Sequence, residues 1–189
     1  PRLDKFARVD DKVPTIIGMP YGLSDDDASN LKSVRSRPSD VVRSATSPHV
    51  ILSYAEVQFL LAEAYERSLL TGDAEAAFNA GVNSSMEYWE IDSAVAAAYL
   101  VANPYESSDW KQSIGWEKWV NFYTNGYEAW SELRRLDAPA LVLPAQAVVS
   151  SIPTRLPYPQ SEVSNNSGQL DKVTTSPDEI TIKLWWDKN

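Results

Sequence analysis

Apolar residues at sustained helical spacing begin after Ser53, where Val57, Leu60, Leu61 and Ala64 fall on one stripe and Ser53 with Glu56 offers a capping box. Gly72 closes this helix, and Asp73 is a natural N-cap for a second one, in which Phe78, Val82, Met86 and Trp89 recur at spacings of four, four and three. So short a connection predicts an antiparallel helical hairpin. Ala77 and Gly81 are the small residues at which its two helices approach.

With Tyr65 in the first helix and the Gly-Asp turn, the hairpin looks like a tetratricopeptide unit. Extra residues within 67–71 are expected to lengthen its first helix. One hairpin cannot bury its own apolar faces, so further helices must flank it. A short Ala-rich helix is expected after Asp92, ending before Asn103-Pro104, because the residue preceding proline avoids helical backbone. A longer helix starts near Ser108 or Asp109 with Trp116, Val120 and Tyr123 on one face, and Asn125-Gly126 breaks it. Tyr127, Trp130 and Leu133 then mark a final short helix that ends by Ala138-Pro139.

The flanks lack this periodicity. Residues 1–52 are loop-rich, with Gly18-Met19-Pro20-Tyr21-Gly22, Arg37-Pro38 and an Asp25-Asp26-Asp27 run that reads as a solvated turn. Residues 138–189 read as a Pro-punctuated tail that wraps the helical region at 53–137, and Ile180 to Trp186 alternates as a strand does. The predicted fold is mainly α, with tetratricopeptide-like hairpins between a loop-rich N-terminal segment and an extended, Pro-rich C-terminal tail. It forms one part of a single domain. The opening Pro1-Arg2-Leu3-Asp4 resembles neither a signal peptide nor an initiator Met, so the chain is expected to begin in mid-protein.

Charge narrows the partners. A formal net charge of −9 without a basic patch argues against nucleic acid, whose phosphates require clustered Lys and Arg. Ten acids stand against Arg67 alone between residues 51 and 110, and they read as a solvated helical face. On the last helix, Glu132 and Arg135 form a favourable pair; of Arg134 and Arg135, one is expected to anchor the tail or an acidic neighbour while the other stays solvated.

Catalytic groupings are scarce. The single His49 lies in a loop, and with no Cys there is neither a thiol nucleophile nor the usual zinc ligation. Both phosphate-cradling glycine loops are missing, and no pair of acids stands out as the two carboxylates of a glycosidase. No enzyme activity, metal or cofactor is expected. No apolar stretch reaches the length of about 18 residues needed to span a bilayer.

Five segments in order, residues 54–64 (YAEVQFLLAEA), 83–89 (NSSMEYW), 116–135 (WEKWVNFYTNGYEAWSELRR), 152–166 (IPTRLPYPQSEVSNN) and 184–188 (LWWDK), resemble the SusD/RagB family, in particular its SusD-like branch in Bacteroidota. The opening PRL and the GMPYGL loop at 18–23 extend the resemblance over almost the whole chain. It implies a non-catalytic, lipid-anchored cell-surface lipoprotein of the outer membrane that captures nutrient for a SusC-like TonB-dependent transporter. This chain would be its C-terminal portion, packed on an N-terminal part of the same protein. The family commonly has Gln-Lys-Trp where Glu117-Lys118-Trp119 stands here. The ligand is an oligosaccharide or a peptide, and a tetratricopeptide-type protein-interaction scaffold is the competing reading.

Sugars stack on Trp or Tyr while amides and carboxylates bond their hydroxyls. Tyr21 in the GMPYGL turn, and Tyr105 and Trp110 around Ser107-Ser108, fall outside the helical stripes and are the candidate ligand contacts. Trp89, Trp116, Trp119 and Trp130 fall on helix faces and read as core.

Overall fold

The computed structural model describes residues 1–9, 12–173 and 180–187. Its centre is the predicted hairpin: α4 (Tyr54–Glu66) packs along α5 (Ala74–Tyr88). Ser53 Oγ accepts the Glu56 N–H at 3.1 Å and Asp73 Oδ1 the Ala76 N–H at 2.9 Å, so both helices start where a side chain satisfies an otherwise orphaned donor. The buried face of α4 is Ala55, Phe59 and Ala62 rather than the expected stripe, and Leu60 points to solvent. Gly81 decides this register. A Cβ there would lie 2.7 Å from the Phe59 ring, so the missing side chain makes the hollow into which Phe59 fits. Phe78, Val82 and Met86 complete the buried face of α5 as expected, while Trp89 is only half-buried.

Residues 67–71 do not extend α4. Arg67 caps it and Ser68 takes a left-handed φ of 56°, so the insertion forms the turn between the helices. Next come α6 (Ser93–Ala102), a 3₁₀ turn at Ser107–Asp109, α7 (Trp110–Asn121) and α8 (Gly126–Leu136). Helix α7 packs on α4, α5 and α8, with Ile114 fully buried between them. It buries Glu117 and Lys118 and leaves Trp116 48% exposed, which overturns the core assignment of that Trp. Hydrophobicity alone ranks Lys and Glu as outward-facing; here their charges find partners, and they occupy the interior. Helix α8 likewise buries Ala129 and Leu136, leaves Tyr127 in solvent and holds Trp130 and Leu133 half-buried; Trp119 is half-buried too.

The N-terminal segment contains three short helices, α1 (Leu3–Phe6), α2 (Asp25–Leu31) and α3 (Asp40–Arg43). Its two-residue strands β1 (Ala7–Arg8) and β2 (Arg37–Pro38) pair antiparallel, Ala7 opposite Pro38. The three aspartates are the first turn of α2, not a free turn: Ser24 caps it, and three negative charges suit a helix N-terminus.

After α8 the chain crosses it in extended form. Trp130 Nε1 donates to the Pro153 carbonyl at 2.8 Å, and Arg134 Nη1 donates to that of Thr154 at 3.1 Å. Two short helices, α9 (Gln160–Asn165) and α10 (Ser167–Leu170), follow. Residues 180–187 run through turns, not the expected strand; the Ile180 carbonyl accepts the Thr154 and Arg155 N–H groups, so the alternating pattern finds only a short contact instead of a sheet partner. Trp186 lies under the Arg134 guanidinium at 5.0 Å while Trp185 faces solvent.

Candidate functional site

An antiparallel hairpin places the first turn of α4 beside the last turn of α5, and here that junction is hollow. A cavity of about 500 Å³ lies between it, the 41–51 segment and the α7–α8 connection. Tyr54, Tyr88, Trp89 and Tyr123 supply aromatic walls, Ser53, Ser84, Asn121, Thr124 and Asn125 supply hydroxyls and amides, and Glu56 supplies a carboxylate. His49 sits on the same wall with Pro48 and Ile51.

The aromatic side is preorganised from below. Phe6 of α1 stacks on Tyr123 at 4.1 Å between ring centroids and meets Trp89 edge-on at 4.8 Å, and Tyr88 contacts Trp89 edge-on at 5.3 Å. Tyr123 Oη donates to the Phe6 carbonyl at 3.2 Å, which fixes that ring's tilt. Asn121 Nδ2 donates to Ser53 Oγ at 3.2 Å, joining α7 to the α4 cap. Tyr54 and Tyr88 remain largely exposed at the mouth. This combination of flat apolar faces with amides and hydroxyls at their edges matches the amphipathic chemistry of a sugar ring.

Beneath the cavity the charges are paired. Arg2, 3% exposed, donates to Ser85 Oγ at 2.9 Å and meets Glu117 Oε2 at 2.5 Å, while Glu117 Oε1 accepts the Tyr99 hydroxyl at 2.6 Å. Burial and the Glu117 charge push the Tyr99 hydroxyl up to about 12. The Glu in place of the family's Gln therefore gives the Arg2 guanidinium a buried counter-charge.

A second set joins three helices. Lys118, 0% exposed, lies 2.7 Å from Glu132, a charge contact rather than an aligned hydrogen bond. Arg135 bridges Glu132 and Glu63, and Arg67 Nε reaches Glu63 at 2.7 Å. Burial alone raises the carboxyls of Glu63 and Glu132, but the neighbouring cations overcome it and hold both below the usual range. Burial also depresses the Lys118 ammonium, with Glu132 opposing. Glu63 is thus an interior group and not part of a solvated acidic face. Neither arginine is left to solvent: Arg134 anchors the tail, 3.9 Å over the Trp130 ring, and Arg135 holds the acids.

The sequence candidates lie apart from the cavity lining. Tyr21 is 63% exposed, and its hydroxyl donates to the Val142 carbonyl. Beside it Gly22 takes a φ of +71° with its Cα facing Pro144, so the turn that presents Tyr21 rests on the tail. Tyr105 and Trp110 come together at the other end of the hairpin. Both pack on the helical core; Tyr105 Oη and Ser107 Oγ donate to Glu66 Oε1 at 2.7 and 2.8 Å, and the Arg67 guanidinium covers Trp110 at 5.1 Å. Sequence reasoning missed Tyr54, Tyr88 and Tyr123. The available signal was topological: the hairpin itself dictates that residues opening α4 meet residues closing α5.

Antiparallel α4 and α5 flanked by α6, α7 and α8 define a mainly α fold of the tetratricopeptide-like class. Comparison places it within that class. A family model, SusD-like and described as starch-binding associating with outer membrane, matches residues 1–159, and the chain belongs to this family.

Among solved structures, a chitin-binding protein is 28% identical with a TM-score of 0.82, covered over 100% of this chain and 47% of its own. A SusD-like protein of Bacteroidetes AC2a is 26% identical with a TM-score of 0.72 over 85% of this chain and 35% of its own. A chitin-binding SusD homologue from Flavobacterium johnsoniae shares the fold at 24% identity and a TM-score of 0.82, over 100% of this chain and 46% of its own. The chain therefore spans less than half the length of these relatives. No curated protein matches it at a significant level.

Proposed function

We propose that this chain is the glycan-contacting C-terminal portion of a non-catalytic cell-surface protein, lipid-anchored to the outer membrane, that delivers oligosaccharide to a SusC-like TonB-dependent transporter. The observation that carries this reading is the aromatic cavity at the α4–α5 junction in a chain of the SusD-like family. Two similar structures are described as chitin-binding, which supports a glycan over a peptide. Glycoside hydrolysis takes two facing carboxylates, whereas among the described residues Glu56 is the single one lining this cavity. No described helix is long and apolar enough to cross a membrane.

In this reading Tyr54 and Tyr88 stack the sugar, and Asn121 and Asn125 bond its hydroxyls. Tyr21, Tyr105 and Trp110 are outer contacts for a longer chain. Calorimetric titration of the intact protein with a panel of neutral oligosaccharides and peptides, alongside co-purification with the transporter, tests the proposal. Saturable binding of at least one oligosaccharide that is weakened by Tyr54→Ala is expected. Peptide binding alone, or binding untouched by changes in the cavity, would sink it.

A further inference from the structure

Glu56 differs from the other interior acids in having no cation in contact. Among the described residues its carboxylate forms no ion pair; it is engaged only within its own helix cap, where the Ser53 backbone N–H acts on the carboxylate and Ser53 Oγ accepts the Glu56 N–H at 3.1 Å. It is also the one charged side chain among the described residues lining the cavity.

Of the charges acting on it, Lys118 favours the ionised carboxylate while Glu128 and Glu132 oppose it, and Lys118 is itself committed to Glu132 at 2.7 Å. The Glu56 carboxylate is therefore open to a cation supplied from the cavity. The Tyr54, Tyr88 and Trp89 rings line the same cavity, and aromatic rings attract cations as well as apolar sugar faces.

We propose that the cavity selects a sugar residue bearing a free amino group, with the ammonium held by Glu56 and the ring stacked on Tyr54 or Tyr88. The inference rests on the glycan-binding reading above. A lysine side chain would satisfy the same carboxylate, but it would leave the Ser84 and Thr124 hydroxyls and the Asn125 amide of the cavity lining unengaged, whereas a pyranose hydroxyl set engages them. Chitin, to which two of the similar structures are described as binding, is a polymer of N-acetylated amino sugars, and only its deacetylated units carry this charge.

The test is calorimetry of the intact protein at mildly acidic pH and low salt with two tetramers, N-acetylglucosamine and fully deacetylated glucosamine, and with a lysine tripeptide as the peptide arm. The deacetylated tetramer is expected to bind about tenfold tighter than the acetylated one, the sum of a half-exposed charge pair and a cation–π contact. Raising the salt should shrink this preference. Glu56→Gln should abolish the preference, while Glu56→Asp, which keeps the charge, should retain part of it. Equal affinities in the unaltered protein, or a preference that survives Glu56→Gln, overturn the amine inference and leave the glycan reading standing. Binding of the tripeptide with neither tetramer overturns both.

Discussion

Among the glutamates that approach the interior of the helical block, four are treated in two ways. Glu63, Glu117 and Glu132 are each met by one or more of Arg2, Arg67, Lys118 and Arg135, which tie α4, α7, α8 and the N-terminal segment together. Glu56, in the first turn of α4, lines the cavity without a cation in contact, helped by the more distant Lys118, the Ser53 backbone N–H and the helix dipole. A buried charge without a partner costs several kcal/mol, so the paired three belong to the architecture. A half-exposed charge costs less and remains free for a ligand. The contrast separates what holds the fold from what the fold holds open.

Breaking the architectural side gives the largest effects. Phe59→Ala empties the centre of the hairpin and should lower stability by about 3–5 kcal/mol in urea denaturation. Gly81→Ala drives a methyl to 2.7 Å from the same ring and should cost about 1–3 kcal/mol, and the double variant should cost clearly less than the sum because both act on one hollow. Additive losses would refute the account of that register. Glu117→Ala strands the buried Arg2 guanidinium and should cost about 3 kcal/mol. Glu56→Gln, made on the other side of the contrast, should stay within about 0.5 kcal/mol of the parent at neutral pH. If the two glutamates respond alike, the distinction fails.

Much of the architecture is legible in the sequence, because caps and breakers are local. Ser53, Asp73 and Asp92 place the helix starts where the structure has them, and the Asn125-Gly126 break separates α7 from α8; Gly72 misplaces the end of α4, which stops at Glu66. The buried faces are less legible. A hydrophobicity stripe selects Leu60 and Trp116, yet the interior takes Phe59 and Lys118, because Gly81 makes a hollow from the opposite helix and because the ion pairs join residues far apart in sequence. The cavity is the least legible part. Its walls come from four separate segments, and Tyr54 and Tyr88 carry no motif that marks them as neighbours.

On the ligand side, Tyr54→Ala should weaken oligosaccharide binding by roughly fivefold to tenfold through loss of a stacking face, with a change in stability below about 0.5 kcal/mol because the ring is mostly in solvent. Trp89→Ala should lose binding and stability together, since Trp89 also packs on Phe6. Calorimetry and urea melts on the same samples separate the two. Equal stability losses in both variants would place Tyr54 in the architecture instead.

The smallest effect is the pH dependence, where the two sides of the contrast carry opposite signs. Glu63 and Glu132 titrate below their ordinary value of 4.5, so the folded state holds their protons less tightly than the unfolded chain does. Their contribution is present above that value and is lost as the pH falls through the folded pKa. Glu56 is raised above 4.5, first by burial and then by Glu128 and Glu132, with Lys118 opposing. Its folded state keeps the proton longer, so its contribution is complete below that value and is lost as the pH rises through the raised pKa. Glu56→Gln removes this loss. Urea melts from about pH 4 to about pH 7 should therefore show the variant gaining stability relative to the parent as the pH rises, then levelling off once the parent carboxyl is fully ionised. Curves that stay parallel throughout would mean that Glu56 already has a partner in the folded protein.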